Sequence, residues 1–188
     1  SISWITSVDY LSSIINRLRA PRLESLQLKP KGGFLDNVSS QKLFKAVKVS
    51  LCACETGKFT KLYIGFGSTG LTSIPLSDML SSIPTLKDLT FQGVNIDLMA
   101  SPLSDPKTLP LLERLHFHEC LLGLEDTLGM VKCRTSMPEG EAYHSLKEFS
   151  ATCVTWVENG RNVERDIGLD RLCGELAISC PNLDVIVS

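Results

Sequence analysis

One short signature recurs along this chain: an apolar residue, two variable residues, an apolar residue, one variable residue, and a third apolar residue. It occurs as Leu23, Leu26, Leu28 in RLESLQL and as Phe59, Leu62, Ile64 in FTKLYI. It returns as Leu86, Leu89, Phe91 in LKDLTF, then as Leu112, Leu115, Phe117 in LERLHF. A fifth copy is Leu146, Phe149, Ala151 in LKEFSA, and Leu183 with Ile186 in LDVIVS begins a sixth. No single copy is large enough to bury its own apolar face, so the copies must stack on one another. Within each, the last two apolar positions alternate with polar ones, which is the period of a strand.

The segments between the copies change period. Pro21, Pro84, Pro110 and Pro181 each stand two residues before a signature, where proline stops a helix and favours an extended chain. Upstream of them, apolar residues fall three or four apart: Val8, Leu11, Ile15, Leu18; Leu76, Met79, Leu80, Ile83; Leu124, Leu128, Val131; and Leu169, Leu172, Leu176. Glu125 and Asp126 suit the positive end of the helix they open, and Ser77 and Asp78 do the same earlier.

The chain therefore alternates strand, turn, helix, proline, strand. Such βα units give a parallel sheet with right-handed crossovers. The intervals between first signature residues are 36, 27, 26, 34 and 37, within or a little above the spacing of leucine-rich repeats, roughly 20–29 residues plus insertions. The expected fold is α/β: one leucine-rich-repeat solenoid over residues 1–188, a curved parallel sheet on its concave side and helices on its convex side. About six strands would make the sheet roughly 24 Å wide. Residues 134–145 and 154–168 stand out as insertions, the second with Trp156 as either a contact residue or a plug over the core.

Composition agrees with a folded chain: 188 residues, 43% hydrophobic, formal net charge -2. Residues 1–62 hold 10 Lys/Arg against 4 Asp/Glu, and residues 63–188 hold 9 against 17. The basic part (Lys29, Lys31, Lys42, Lys45, Lys48, Lys58, Lys61) has no interleaved aromatics to stack on bases, so it is taken as a solvated helix face, not a nucleic-acid site. No apolar run reaches the roughly 18 residues that span a bilayer, and no membrane partner is expected. Seven scattered cysteines without a C-x-x-C are expected to be reduced and mostly buried, in a cytoplasmic or nuclear protein. The chain begins at Ser1 without Met, and is expected to be a monomeric piece of something longer.

The run Leu112, Leu115, Phe117, Cys120 resembles the cysteine-containing leucine-rich repeat, and Cys180, Pro181, Asn182, Leu183 resembles the C-P-N-L that opens repeats in F-box/leucine-rich-repeat proteins. The resemblance covers nearly the whole chain in rhythm, but only two of the six signatures in wording. It implies a substrate-receptor subunit of a cullin-type ubiquitin ligase, with a helical F-box ahead of the repeats that is not in this sequence.

Other chemistries have weaker signals. Gly65, Gly67 and Gly70 in IGFGSTG form a G-x-G-x-x-G after a strand, which in a nucleotide-binding α/β enzyme would meet a pyrophosphate. Pro75 interrupts the helix such a site needs, and Asp88 sits at the wrong end of the next strand, so a plain turn is expected. His116, His118 and Cys120 hint at zinc, but Cys120 falls on the core-directed position and His144 is a lone loop residue. No nucleophile motif is present. Neither a catalytic site, a cofactor nor a metal is expected.

What the pattern offers instead is a surface. The residues between the apolar ones share one side of the sheet: Ser25 and Gln27; Lys61 and Tyr63; Asp88, Thr90 and Gln92; Arg114, His116 and His118; Glu148 and Ser150. They are the expected contacts for a protein partner, a ubiquitylation substrate if the F-box resemblance holds. Tyr63 and Arg114 are the residue types most often found as hot spots. The rival readings are the nucleotide enzyme, and a regulatory or immune-type repeat domain with no ubiquitin connection.

Overall fold

The computed structural model of the chain describes residues 2–5, 23–30, 42, 45–49, 58–65, 79–93, 103, 105, 107–136 and 144–188. Seven strands form one parallel sheet in sequence order. They are β1 (Ile2–Ile5), β2 (Ser25–Pro30), β3 (Lys61–Gly65), β4 (Asp88–Gln92), β5 (Arg114–His118), β7 (Glu148–Thr152) and β10 (Asp184–Val187). Between β5 and β7 lie β6 (Leu121–Gly123) and helix α1 (Leu124–Thr135); between β7 and β10 lie β8 (Thr155–Glu158), β9 (Arg161–Asn162) and helix α2 (Arg165–Ser179). The fold is α/β. No helix among the described residues is long and apolar enough to cross a membrane.

The signature sets both register and core. Leu62, Leu89, Leu115 and Phe149 are partners across adjacent strands, as are Ile64, Phe91, Phe117 and Ala151, and all eight are buried. The Phe91 and Phe117 rings stack at 5.8 Å, and Phe117 meets Phe149 edge-on at 5.9 Å. Each such side chain removed from water contributes about 1.5–3 kcal/mol. Ahead of the strands, the chain climbs a regular staircase: the carbonyls of Glu24, Thr60, Lys87 and Glu113 each accept two backbone N–H groups from the next unit. Beyond the strands, Gly93, Glu119 and Cys153 occupy one equivalent place and all have positive φ (67°, 52° and 52°).

Leu128 and Val131 of α1, with Leu172 and Leu176 of α2, join the same buried cluster as the strand residues. Glu125 and Asp126 lie in the first turn of α1, and Lys132 and Arg134 in its last, matching the helix dipole at both ends. Arg134 is buried. Its Nη1 and Nη2 donate to the carbonyls of Leu109 (3.0 Å) and Asp105 (3.2 Å), and its Nε to that of Leu103. Burial pulls its pKa down to about 10.

Several expectations need correction. β2, β3, β4, β5 and β7 begin two residues after the first apolar position of their signatures, so Leu86, Leu112 and Leu146 are buried but precede the sheet. Among the described residues the sheet has seven strands where about six were expected, because Ile2–Ile5 pairs with β2. The sixth signature is one residue out of register. Val185 pairs with Phe149, so period two turns Ile186 to the other side, where it is 45% exposed. The segment 154–168 carries β8 and β9, which join at the Asn159–Gly160 turn and form a small sheet with β6. Of the two readings of Trp156, contact residue or plug over the core, burial supports the plug: the side chain of this β8 residue is fully buried. Of five described cysteines, Cys120 and Cys180 are buried but Cys133 and Cys153 are exposed. The helix expected over Val8–Leu18, most of the one around Leu76, and Gly67 and Gly70 lie outside the described residues.

Candidate functional site

Strand periodicity sends alternate residues to the side of the sheet away from the core, and in-register pairing aligns them in rows. The first row is Ser25, Lys61, Asp88, Arg114, Glu148 and Asp184. The second is Gln27, Tyr63, Thr90, His116, Ser150 and Ile186. The third, at the strand ends, holds Gly65, Gln92, His118 and Thr152, with Lys29 at the same height on β2. Every residue expected on this surface lies in one of these rows. Ser150 is buried beside His116, and so offers a partner little area.

Asp88 is the electrostatic centre of the first row. Arg114 Nε approaches its carboxylate at 3.1 Å, His116 Nε2 at 3.7 Å and Lys61 Nζ at 4.0 Å. On its other side, His116 Nδ1 lies 3.8 Å from Glu148. Asp88, His116 and Glu148 are half-buried, and these contacts fix how the side chains point across the strands.

Tyr63 lies along its own strand. A Cβ at Gly65 would fall 2.7 Å from Tyr63 Cε1, so a larger residue there would displace the ring from this position. The Tyr63 hydroxyl donates to Gln92 Oε1, whose amide nitrogen donates to Glu119 Oε2 at 2.9 Å. Lys29 Nζ sits 4.5 Å above the Tyr63 ring centroid, a cation–π contact. Nearby, His118 Nδ1 and Thr152 Oγ1 are 2.8 Å apart. A depression of about 300 Å³ lies between β2 and β4, lined by Ser25, Gln27, Lys61, Tyr63, Asp88 and Thr90.

A second polar cluster sits at the staircase edge. Glu113 accepts from His144 Nδ1 at 2.7 Å, with Lys147 and Lys87 at 3.7 and 4.0 Å. Burial pushes its carboxyl pKa up, but the His144 hydrogen bond and the two lysines outweigh it and hold the carboxyl below its ordinary range. His144 is therefore a partner of Glu113 and no lone loop residue. Among the described residues, no group of three His, Cys, Asp or Glu side chains could hold a metal ion. Cys120 points into the core, where its Sγ donates to the His118 and Phe91 carbonyls.

Lys29, Thr152, Asp184 and Ile186 complete the rows and were not expected there. Carrying the alternation one step past each signature would have found Lys29 and Thr152. Aligning Val185 with Phe149 would have found the other two.

No family model matches the chain, and no curated protein matches it. Among solved structures, the Chaetomium Mex67:Mtr2 subunits include a chain 16% identical to this one, with a TM-score of 0.46 over 89% of this chain and 99% of that chain.

Proposed function

We propose that this chain is a leucine-rich-repeat solenoid that acts as a protein-interaction module and not as an enzyme, and that the side of the parallel sheet away from the core receives the partner. One observation carries the reading. Six adjacent strands hold their outward residues in unbroken register, and those residues, Gly65 and Ile186 apart, are polar, charged or aromatic while their inward neighbours are all apolar. Residues facing the core are accounted for by packing; Arg114, Tyr63 and His116 are held in fixed positions on a surface where stability gains little from them.

The resemblance to F-box/leucine-rich-repeat proteins narrows the reading further, to recognition of a ubiquitylation substrate by an adaptor of a cullin-type ligase. The five free thiols among the described residues, two of them exposed, suit a reducing compartment, cytoplasm or nucleus. Against the nucleotide-enzyme alternative, the Tyr63 ring gives Gly65 a reason that needs no phosphate.

The test is a double replacement, Tyr63→Ala with Arg114→Ala, in an affinity capture read by mass spectrometry. The captured protein should be lost, while the melting temperature stays within a degree or two, roughly the shift expected of surface changes. Capture that survives the double variant but fails on Arg161→Ala, in the small second sheet, would move the recognition surface elsewhere. For the ubiquitin reading, the whole protein should support ubiquitylation of the captured partner when assembled with a cullin-type ligase.

A further inference from the structure

The charges on this side of the sheet are sorted, and the sorting says what a partner must carry. At the β2–β3 end stand Lys29 and Lys61, the Lys61 side chain 60% exposed and its Nζ 4.0 Å from Asp88. In the middle, Asp88 and Arg114 neutralise one another. At the β7–β10 end, Glu148 and Asp184 are partners in register across adjacent strands, one strand spacing apart. Like charges placed directly opposite destabilise a sheet. The His116 imidazole lies 3.8 Å from Glu148, and among the described residues Asp184 makes no ion pair. Ile186, 45% exposed, lies on the same face two residues from Asp184 and offers an apolar shelf. The basic end has its own feature, the depression beside Lys61 and Tyr63.

Resting on the proposed function, we infer that this face takes a single segment of a partner protein that carries charges of both signs. An acidic side chain would seat in the depression against Lys61. A basic one would lie between Glu148 and Asp184, with its aliphatic stem on Ile186. From β3 to β10 are four strand spacings, roughly 19 Å. That separation corresponds to about 13 residues of helix, or about 6 residues of extended chain. A nucleic acid does not fit: its uniform phosphates would meet the acidic end.

The experiment is selection from a random 16-residue peptide library displayed on phage, against the whole chain and three variants whose melting temperatures are checked first. Wild-type chain should enrich peptides with an acid and a base separated by the spacings above. Lys61→Glu should instead enrich peptides basic at both positions, and Glu148→Lys with Asp184→Lys should enrich acidic ones. A wild-type peptide should lose roughly tenfold in affinity against either charge variant. Enriched peptides that fail on Tyr63→Ala with Arg114→Ala, yet show no paired charges, overturn the inference and leave the proposed function standing. Peptides indifferent to that double variant, or no enrichment at all, overturn both.

Discussion

Gly168 of α2 lies flat on the Trp156 indole: a Cβ there would fall 2.6 Å from Trp156 Cδ1 and 2.8 Å from Cγ. The glycine thus fixes how closely the helix approaches β8, and Trp156 is sealed beneath it. The indole Nε1 has no hydrogen-bond partner among the described residues. Packing decides this contact, and a polar group goes unsatisfied for it.

Gly168→Ala therefore sets two effects against each other. Alanine gains up to about 1 kcal/mol of helix propensity over glycine. The clash is with a rigid ring in the core, and overpacking of that kind costs about 1–3 kcal/mol. A net loss of stability is expected in urea unfolding, and Gly174→Ala, with nothing within 4 Å of its Cβ, should gain instead. If both changes stabilise equally, the close approach is not there.

Leu89 and Leu115 sit in the middle of the apolar row and are fully buried. Replacing either by Ala should cost on the order of 2–5 kcal/mol through lost transfer energy and a residual cavity. Losses under about 1 kcal/mol at both would mean that the stack is not the core.

The sequence revealed these residues because three apolar positions, repeated five times, leave only one face to bury. It was less informative wherever the reason for a residue lay in a neighbour far along the chain. Gly168 packs on Trp156, and Gly65 lies under Tyr63; neither glycine differs locally from a turn residue. The hairpin of β8 and β9 had a usable signal, the Asn159–Gly160 pair that favours a two-residue turn with positive φ. The slip at Ile186 has a plain cause. LDVIV is apolar on both faces, so its register was settled by pairing with β7 and not by its own pattern. The outward rows were legible as positions, while their contacts, such as Asp88 gathering Lys61, Arg114 and His116, were not.

Glu113 should make stability depend on acid pH. Its folded pKa lies below the ordinary 4.5, so the unfolded chain binds the proton more readily. The contribution is then complete above about pH 4.5 and lost as pH falls through the folded value. Glu113→Gln should flatten that part of the stability–pH curve between pH 7 and about pH 3. Parallel curves for the two proteins would rule out the assignment.

Arg134 ties α1 to Leu103, Asp105 and Leu109 through their three backbone carbonyls. Arg134→Met keeps the aliphatic bulk but strands those acceptors, for an expected loss of about 2–4 kcal/mol. Arg134→Lys should rescue little, since one ammonium cannot reproduce the planar fork. Hydrogen exchange at Thr108 and Leu109 should accelerate in both variants; unchanged protection there would show that the carbonyls are held by something else.

The turn that follows β4, β5 and β7 repeats one backbone conformation with three different residues: Gly93, Glu119 and Cys153. A left-handed conformation costs a non-glycine residue about 1–2 kcal/mol. Glycine costs about 0.5–1 kcal/mol in lost chain freedom. Cys153, exposed and accepted here without side-chain hydrogen bonds, should therefore become more stable by up to about 1 kcal/mol as Cys153→Gly. At the middle position, Glu119 accepts from Gln92 at 2.9 Å and approaches His118 at 3.8 Å. Glu119→Gly forfeits those contacts and should come out near neutral. Gly93→Ala runs the comparison backwards and should destabilise. The three measured in one denaturant series separate a backbone requirement from a side-chain one: a gain at Cys153 with a loss at Gly93 is the expected signature, and equal losses at all three would mean that the turn is held by side chains and not by the sign of φ.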